Sequence, residues 1–290
     1  MLSPRILVLG VAFATLVAVA APASSQQKPQ RTAPRIEIPF HPTAPITAEV
    51  DLRPEIEKFG LAIRDQGNRS TCSVFATTFL IEFHDSRANK LKNLDLSEEY
   101  LNWAKNRANK SDSDGGFFTD IIKGYQQFGM VPIGDMPYLP AFHPKNPDTP
   151  RPRVIVTGKT FARYPITFIK QWDNQKGMSE QELEAAKAAL RAGHPVATGI
   201  WWLENFETVT VDHVPLLKEY PRSANTGSNP PMFDGHSIDL VGFHEGKEFP
   251  GGGYFIFRNS FGPNFGHNGY GFVSFKYLRN YSNDAIVIGK

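Results

Sequence analysis

The clearest pattern of apolar and polar positions lies between residues 65 and 83, where the sequence is DQGNRSTCSVFATTFLIEF. Phe75, Phe79 and Phe83 recur at every fourth position, which places them on one face of a helix. Ser70 and Thr71 precede this apolar run, and both residue types are common N-caps. The pattern therefore predicts a polar turn that leads into a buried helix, with either residue as its cap.

Similar signals predict three further helices. Ser97 is an N-cap residue followed by two glutamates, which the positive end of a helix dipole favours. Residues 117–128 carry apolar side chains at helical spacing, and Gly129 stands at a C′ position. Ser179 and Glu182 have the spacing of a capping box, so a clean helix follows them and ends near residue 193.

The second half of the chain has a different pattern. Prolines are frequent between residues 130 and 178, and this stretch predicts a connection with two short strands, at 153–157 and 162–169. Later apolar runs, separated by glycine and proline, predict antiparallel strands at 195–202, 236–243, 254–257, 270–275 and 285–288. Residues 204–233 form an insertion with weak periodicity.

Helices that precede strands predict an α+β protein. We expect two lobes, a helical lobe over residues 51–150 and a β-rich, barrel-like lobe over residues 151–290.

The N-terminus predicts export. Arg5 precedes an apolar run over residues 6–21, and small residues near residues 18–23 provide a cleavage site, so residues 1–23 have the pattern of a signal peptide. Residues 24–50 are rich in proline, glutamine and alanine, which is typical of a linker or short pro-segment. We expect a secreted or periplasmic protein whose mature chain has no membrane span; an uncleaved anchor is the alternative.

Composition limits the possible partners and directs attention to one thiol. The formal net charge of the 290 residues is +2, which gives no argument for a nucleic-acid partner. Cys72 is the only cysteine, and a lone cysteine in an exported chain suggests a functional thiol, although an inert buried thiol is the alternative. One cysteine cannot build a structural zinc site, so we predict no metal and no other cofactor.

The predicted position of Cys72 favours a reactive thiol. In the first turn of a helix, a thiol lies near unpaired backbone N–H groups and the positive end of the dipole, and both favour the reactive thiolate. Gln66 precedes it by six residues and carries an amide that can donate to developing negative charge. The sequence therefore indicates Cys72 as a nucleophile.

A thiol nucleophile needs a base and a group that orients this base. Of eight histidines, His236 differs because it begins a predicted strand directly after Asp234 and Gly235, where an imidazole could reach across a cleft. Asn259 follows an aromatic strand and could fix the tautomer of the imidazole, with Phe261 as a shield from water. A turn asparagine at the end of a strand is the alternative.

Short segments that fit one family pattern follow each other along the chain. They are Asp51-Leu52-Arg53, Gln66-Gly67-Asn68-Arg69-Ser70-Thr71-Cys72-Ser73, Leu96-Ser97-Glu98-Glu99-Tyr100-Leu101, Gly115-Gly116, Gly193-His194-Pro195-Val196, His236-Ser237-Ile238-Asp239-Leu240-Val241-Gly242-Phe243, and the run from Arg258 to Tyr270. In this order they resemble the papain and cathepsin family of cysteine proteases, from about residue 51 to the C-terminus. The sixth segment corresponds to the family pattern H-A-V-x-x-V-G-Y.

The resemblance implies a fold of two lobes with a cleft between them, and it implies roles for the matching residues. Cys72 would attack a peptide carbonyl, His236 would pair with it as imidazolium, and Asn259 would orient His236. Gln66 and the backbone N–H of Cys72 would stabilise the oxyanion. The remaining implied positions line the substrate groove: Gly115, Gly116 and Phe261.

The chain also departs from the family pattern. Arg69 and Ser113 stand where relatives usually carry two cysteines bonded to each other, which indicates the loss of one disulfide. Ser73 replaces an aromatic residue, and Phe261 and Phe265 replace tryptophans. The stretch before residue 51 is shorter than the helical pro-domain that is usual in the family.

Three hypotheses follow from the sequence. The first is an exported cysteine peptidase that acts as a monomer on a peptide or protein substrate. The second is a catalytically silent relative that binds peptides or a partner in the same cleft. The third is an acyltransferase that uses the same thiol chemistry with an amine in place of water.

Overall fold

The computed structural model describes residues 42–139, 141, 149–203, 207–219 and 232–289, which all belong to one compact unit. The predicted signal peptide, most of the predicted linker and much of the 204–233 insertion lie outside these residues. Helices α1 to α7 span Arg53–Phe59, Cys72–Asn89, Glu98–Asn109, Phe118–Phe128, Pro152–Thr160, Glu180–Arg191 and Phe275–Tyr281. Strands β1 to β9 span Val50–Asp51, Ile166–Lys170, Val196–Leu203, Thr208–Val211, Val214–Leu217, Met232–Glu245, Gly253–Arg258, Tyr270–Ser274 and Ser282–Ile288.

Helix α2 is the central helix of the fold. The predicted ladder of Phe75, Phe79 and Phe83 is confirmed, and all three side chains are buried. The helix packs against α3, α4 and strands β3 and β6, so most of its surface is covered. Such burial removes large apolar areas from water and fixes the helix in place. The N-terminus of α2 carries Cys72, and this end of the helix is therefore held rigidly.

The predicted caps are also present. The Ser97 hydroxyl accepts a hydrogen bond from the Tyr100 N–H at the start of α3. Ser179 and Glu182 form a complete capping box at the start of α6. Thr71 occupies the N-cap position of α2, although its side chain caps nothing, because its hydroxyl lies 2.7 Å from the Tyr138 hydroxyl.

The strands form one sheet with the order β2-β9-β3-β6-β7-β8-β5-β4, and β1 adds to β6. Every pair is antiparallel except β5 and β8, which pair in parallel. Within the described residues, β2 and β4 lie at opposite ends of this order and do not pair, so the barrel-like lobe is an open sheet. Strands β6 and β7 lie at the centre of this order, and each is hydrogen-bonded to a neighbouring strand on both of its edges.

One predicted strand is wrong. Residues 153–157, predicted as a short strand, belong to helix α5, although valine, isoleucine and threonine favour strands. Pro152 occupies the first turn, where its fixed φ and missing N–H suit a helix. Burial of Val154 and close contact of Gly158 with the Tyr100 ring then favour the helix over local preference. Helices α1 and α7 and the β4–β5 hairpin had no predicted counterpart.

Candidate active site

Cys72 is half-buried at the first position of α2, beside strand β6. Ser237 stands beside the sulfur and offers its N–H and its hydroxyl as hydrogen-bond donors, and the Ser73 N–H also contributes. Burial raises the pKa of the Cys72 thiol, whereas these hydrogen bonds lower it because they stabilise the thiolate. Hydrogen-bond donors therefore lie on one side of the sulfur.

His236 and Asn259 form a buried pair. His236 Nε2 lies 2.8 Å from Asn259 Oδ1, and the same oxygen accepts a second hydrogen bond of 2.8 Å from the Ser260 N–H. A backbone N–H can only donate, so the oxygen of the carboxamide faces His236, and Nε2 must carry the ring proton. Nδ1 of the neutral ring is then left as a proton acceptor.

Burial lowers the pKa of His236 to about 4, and the hydrogen bond with Asn259 opposes this effect. Three aromatic rings account for the apolar surroundings. Trp202 and Phe261 each lie 4.7 Å from the imidazole, between ring centroids, and Phe265 packs against both of them. In such a site a charged imidazole requires a nearby negative charge.

Gln66 is fixed in the loop before α2. Its Nε2 donates to the Arg69 carbonyl oxygen at 2.7 Å, and its Oε1 accepts from the Ser260 hydroxyl at 2.5 Å. The Tyr138 hydroxyl also donates to the Gln66 carbonyl oxygen at 2.8 Å. A primary amide has two N–H groups, so the second N–H of Nε2 can serve another acceptor.

Gly115 and Gly116 lie in the loop before α4, and each has a positive φ, +57° and +142°. A Cβ at Gly115 would lie 2.0 Å from the carbonyl oxygen of Ser70, two residues before Cys72. Only glycine permits this close approach of the two loops. Gly115 is therefore buried beside the loop of the nucleophile, while Gly116 is exposed next to it.

An ionic cluster joins these same two loops where relatives usually have the disulfide. The guanidinium of Arg69 forms ion pairs with Asp114 and Glu99, donates to the Leu139 carbonyl oxygen, and lies 4.5 Å from the Tyr138 ring centroid. Arg69, Asp114 and Glu99 are all buried. Hydrogen bonds with Asp114 and Glu99 raise the pKa of Arg69 despite the opposing effect of burial.

A second set of charges lies deeper, between α2 and the sheet. Arg64 forms ion pairs with Glu82 and Glu98, and Asp239 and Arg258 face each other across β6 and β7. Burial raises the pKa of Glu98 to about 8; Arg64 opposes this shift and Glu82 adds to it.

The structure brings the sequence-predicted residues to neighbouring positions. Cys72 contacts Ser237, which directly follows His236 in β6; Gln66 and Asn259 both bond to Ser260. Sequence reasoning missed the roles of three contacts: Ser237 at the sulfur, Trp202 at the imidazole and Tyr138 at the Gln66 loop. Trp202 alternates with Trp201 in a strand, a pattern that could have indicated one inward-facing ring.

The described residues contain no cluster of histidine, cysteine and carboxylate side chains that could hold a metal ion. In the same part of the chain, no helix has the length and apolar character needed to cross a membrane.

The model of the papain family cysteine proteases matches residues 46–286, and the chain belongs to this family. Together with the fold, this match defines the protein as a cysteine-type peptidase. An uncharacterized peptidase C1-like protein of Acanthamoeba polyphaga mimivirus is 23% identical over 228 residues, which cover 77% of this chain and 68% of that protein.

Solved structures show the same fold. Xylellain, a cysteine protease from Xylella fastidiosa, is similar with a TM-score of 0.65 and 19% identity over 91% of this chain and 98% of that chain. Digestive procathepsin L 3 of the Tenebrio molitor larval midgut is similar with a TM-score of 0.54 and 18% identity, over 89% of this chain and 75% of that chain.

Proposed function

We propose that this protein hydrolyses peptide bonds with Cys72 as nucleophile and His236 as the base that activates it. The observation that supports this most directly is the 2.8 Å contact between His236 Nε2 and Asn259 Oδ1. His236 lies in β6, and the next residue of this strand, Ser237, bonds to the Cys72 sulfur. Because this contact fixes the ring proton on Nε2, Nδ1 can accept the thiol proton. Asn259 acts as the residue that orients the base.

The proposed reaction has two stages. Proton transfer from Cys72 to His236 gives a thiolate and an imidazolium, and each charge offsets the burial of the other. The thiolate attacks the peptide carbonyl, and the imidazolium gives its proton to the leaving amine as the C–N bond breaks. Water, deprotonated by His236, then cleaves the thioester to release the acid and restore the thiol.

Gln66 would stabilise the negative oxygen in both stages. Its side chain is held at both ends, by Arg69 and Ser260, so its remaining N–H is pre-oriented before substrate binds. The backbone N–H of Cys72 would supply the second donor, since N–H groups in the first turn of a helix have no partner within the helix.

A substrate chain would lie along Gly115 and Gly116, where missing side chains let an extended backbone approach. Phe117 follows directly and is exposed, and its ring packs edge-to-face on exposed Trp172, with 5.2 Å between centroids. Phe117 belongs to the helical half and Trp172 to the connection between β2 and α6. This pair therefore supplies an apolar surface beside the proposed groove, and we propose that an apolar substrate side chain contacts it.

The test is turnover of a fluorogenic dipeptide amide by wild type, Cys72→Ala, His236→Ala and His84→Ala, with and without a thiol alkylator. His84 lies in the same helix as Cys72 and packs against the Tyr164 ring, outside the proposed site, so His84→Ala is the matched histidine control. We expect wild type and His84→Ala to turn over, and the alkylator and the other two substitutions to abolish turnover.

Absence of wild-type turnover across a broad peptide library would contradict the proposal. If the Cys72 thiol were also alkylated no faster than a free thiol, the result would favour a peptide-binding protein. Faster release of product in the presence of an added amine would instead favour acyl transfer.

We also propose that the protein is exported, because residues 1–23 have the pattern of a signal peptide. Mass spectrometry of the protein isolated from its own host tests this proposal. A chain that begins near residue 24 is expected, and an intact Met1 in the isolated protein would contradict export through a cleaved signal.

A further inference from the structure

A small cavity lies beside Asn259, between α2 and the sheet, and both apolar and polar side chains line it. Its volume is about 20 Å³, which is enough for one water molecule. Phe75, Ala76 and Phe79 of α2 line one side, while Asp239 and Asn259 line the other. A water molecule is retained in such a space only if it has polar partners, so the polar atoms of the lining residues decide whether the cavity holds water.

Two of these residues each present a buried polar atom without a hydrogen bond. Asn259 Nδ2 has no partner, and neither has Asp239 Oδ1. Both residues are more than nine-tenths buried. The two atoms are complementary, because an amide N–H donates and a carboxyl oxygen accepts. Leaving either group unsatisfied costs about 1–3 kcal/mol, so a bridging molecule would be stabilised at both ends.

The orientation of Asn259 explains why its nitrogen needs a partner. Oδ1 of its carboxamide is occupied by His236 Nε2 and by the Ser260 N–H. Nδ2 therefore lies on the opposite side of the carboxamide, away from the imidazole. If the carboxamide turned over, Nδ2 would donate to His236 Nε2 and the ring proton would move to Nδ1. His236 could then no longer accept the proton of Cys72.

Asp239 lies on the same face of its strand as the residue that contacts Cys72. Side chains alternate along β6, so Asp239 shares a face with Ser237, whose hydroxyl bonds to the Cys72 sulfur. In register, Asp239 pairs with Arg258, the residue before Asn259 in the chain. The family pattern quoted above leaves this position open, so nothing in the resemblance assigns a role to Asp239.

We propose that one water molecule in this cavity accepts a hydrogen bond from Asn259 Nδ2 and donates one to Asp239 Oδ1, which makes Asp239 a positioning residue for the His236–Asn259 pair. The positioning role rests on the proposed function; the water site does not. The bridge holds the carboxamide in the orientation that keeps Nδ1 of His236 available.

The charges around Asp239 do not remove its ability to accept a hydrogen bond. Burial raises the pKa of Asp239 well above its usual range, Glu82 adds to this shift, and Arg258 opposes it. Arg64 and Glu98 also line the cavity. A protonated carboxyl keeps one acceptor oxygen and a carboxylate has two, so the bridge can form in either state.

Two substitutions separate hydrogen bonding from packing. Asp239→Asn keeps an acceptor oxygen, whereas Asp239→Leu has a similar volume and no polar atom. For Asp239→Leu we expect kcat to fall about tenfold or more with KM within about twofold of wild type, because loss of the bridge affects the base and not the groove. Asp239→Asn should stay within about threefold of wild-type kcat.

A crystal structure of the wild-type protein provides the independent measurement. We expect an ordered water molecule within about 3.2 Å of both Asn259 Nδ2 and Asp239 Oδ1, and its loss in Asp239→Leu. A dry cavity in wild type overturns the proposal, as does full kcat in Asp239→Leu or equal loss in both variants. If Asp239→Leu does not fold, the wild-type structure decides. If wild type turns over no peptide, the proposed function fails. The crystal structure still shows whether the water molecule is present, so the water site is tested independently.

Discussion

Arg69 and Asp114 are joined by two hydrogen bonds, from Nε to Oδ2 at 3.0 Å and from Nη2 to Oδ1 at 2.7 Å. This pair connects the loop before the nucleophile to the loop of Gly115. A disulfide usually makes a corresponding connection in the family, at the positions of Arg69 and Ser113. In this chain a guanidinium held by Asp114 and Glu99 provides it instead.

Arg69→Leu should destabilise the protein severely. The substitution leaves the carboxylates of Asp114 and Glu99 buried without their cation, and breaking a buried pair from one side costs about 3–5 kcal/mol. Urea unfolding measures the loss. Lys218→Ala is the control, since its ion pair with Glu207 is exposed and removal should cost less than about 1 kcal/mol. Similar losses for both variants would show that the cluster contributes no more than a surface pair.

Gly115→Ala should weaken both folding and substrate binding. The new Cβ would overlap the Ser70 carbonyl oxygen, so the two loops must separate, and we expect a loss of about 2–4 kcal/mol together with a raised KM. Gly252→Ala is the matched control. Gly252 also has a positive φ, +89°, but nothing lies within 4 Å of its Cβ position, so only the backbone strain of about 1–2 kcal/mol applies. Equal effects would exclude the loop contact as the cause.

Ser237→Ala should make the thiol less acidic. Hydrogen bonds to sulfur stabilise the thiolate, so loss of the hydroxyl raises the pKa of Cys72 further. The pH profile of alkylation by a small alkylator would shift upward, and the rate below the pKa would fall about tenfold. Ser237→Thr keeps a hydroxyl and should restore the wild-type profile. An unchanged profile in Ser237→Ala would remove Ser237 from thiolate stabilisation.

The imidazole of His236 should titrate at low pH once the thiol is removed. In Cys72→Ala the apolar surroundings remain and the negative partner is absent, so NMR titration is expected to give a pKa of about 4 for His236. Between this value and the unfolded value of about 6.5, the unfolded chain binds more protons than the folded one. Stability of Cys72→Ala should therefore fall as the pH is lowered through this window.

The control for this titration is Cys72→Ala combined with His236→Gln, which removes the titrating group. Its urea stability should change less between pH 7 and pH 5 than that of Cys72→Ala, by about 2 kcal/mol. A His236 pKa near 6.5 in Cys72→Ala would contradict the effect of burial.

The sequence was sufficient to predict the elements with strong local signals. The helix that begins at Cys72, the strand that contains His236 and the strand that ends just before Asn259 have clear periodicity, and the structure has all three. The strand of His236 is longer than predicted, Met232–Glu245. The α5 segment was mispredicted because its β-branched residues favour a strand, whereas Pro152 and contact with Tyr100 decide for a helix.

Contacts between distant positions could not be predicted from the sequence. The loss of two cysteines was visible, but Glu99 and Asp114 lie 30 and 45 positions from Arg69, and no local pattern links them. The same holds for Asp239: the pattern around it is that of a buried strand, and only the cavity shared with Asn259 indicates a role.

The ionic connection between Arg69 and Asp114 has a consequence for how the protein responds to redox conditions. With a single cysteine in the sequence, no disulfide within the chain contributes to the fold. A reductant that protects the Cys72 thiol from oxidation therefore has no second target whose cleavage would loosen the loops. Conditions that preserve the nucleophile also leave its surroundings intact.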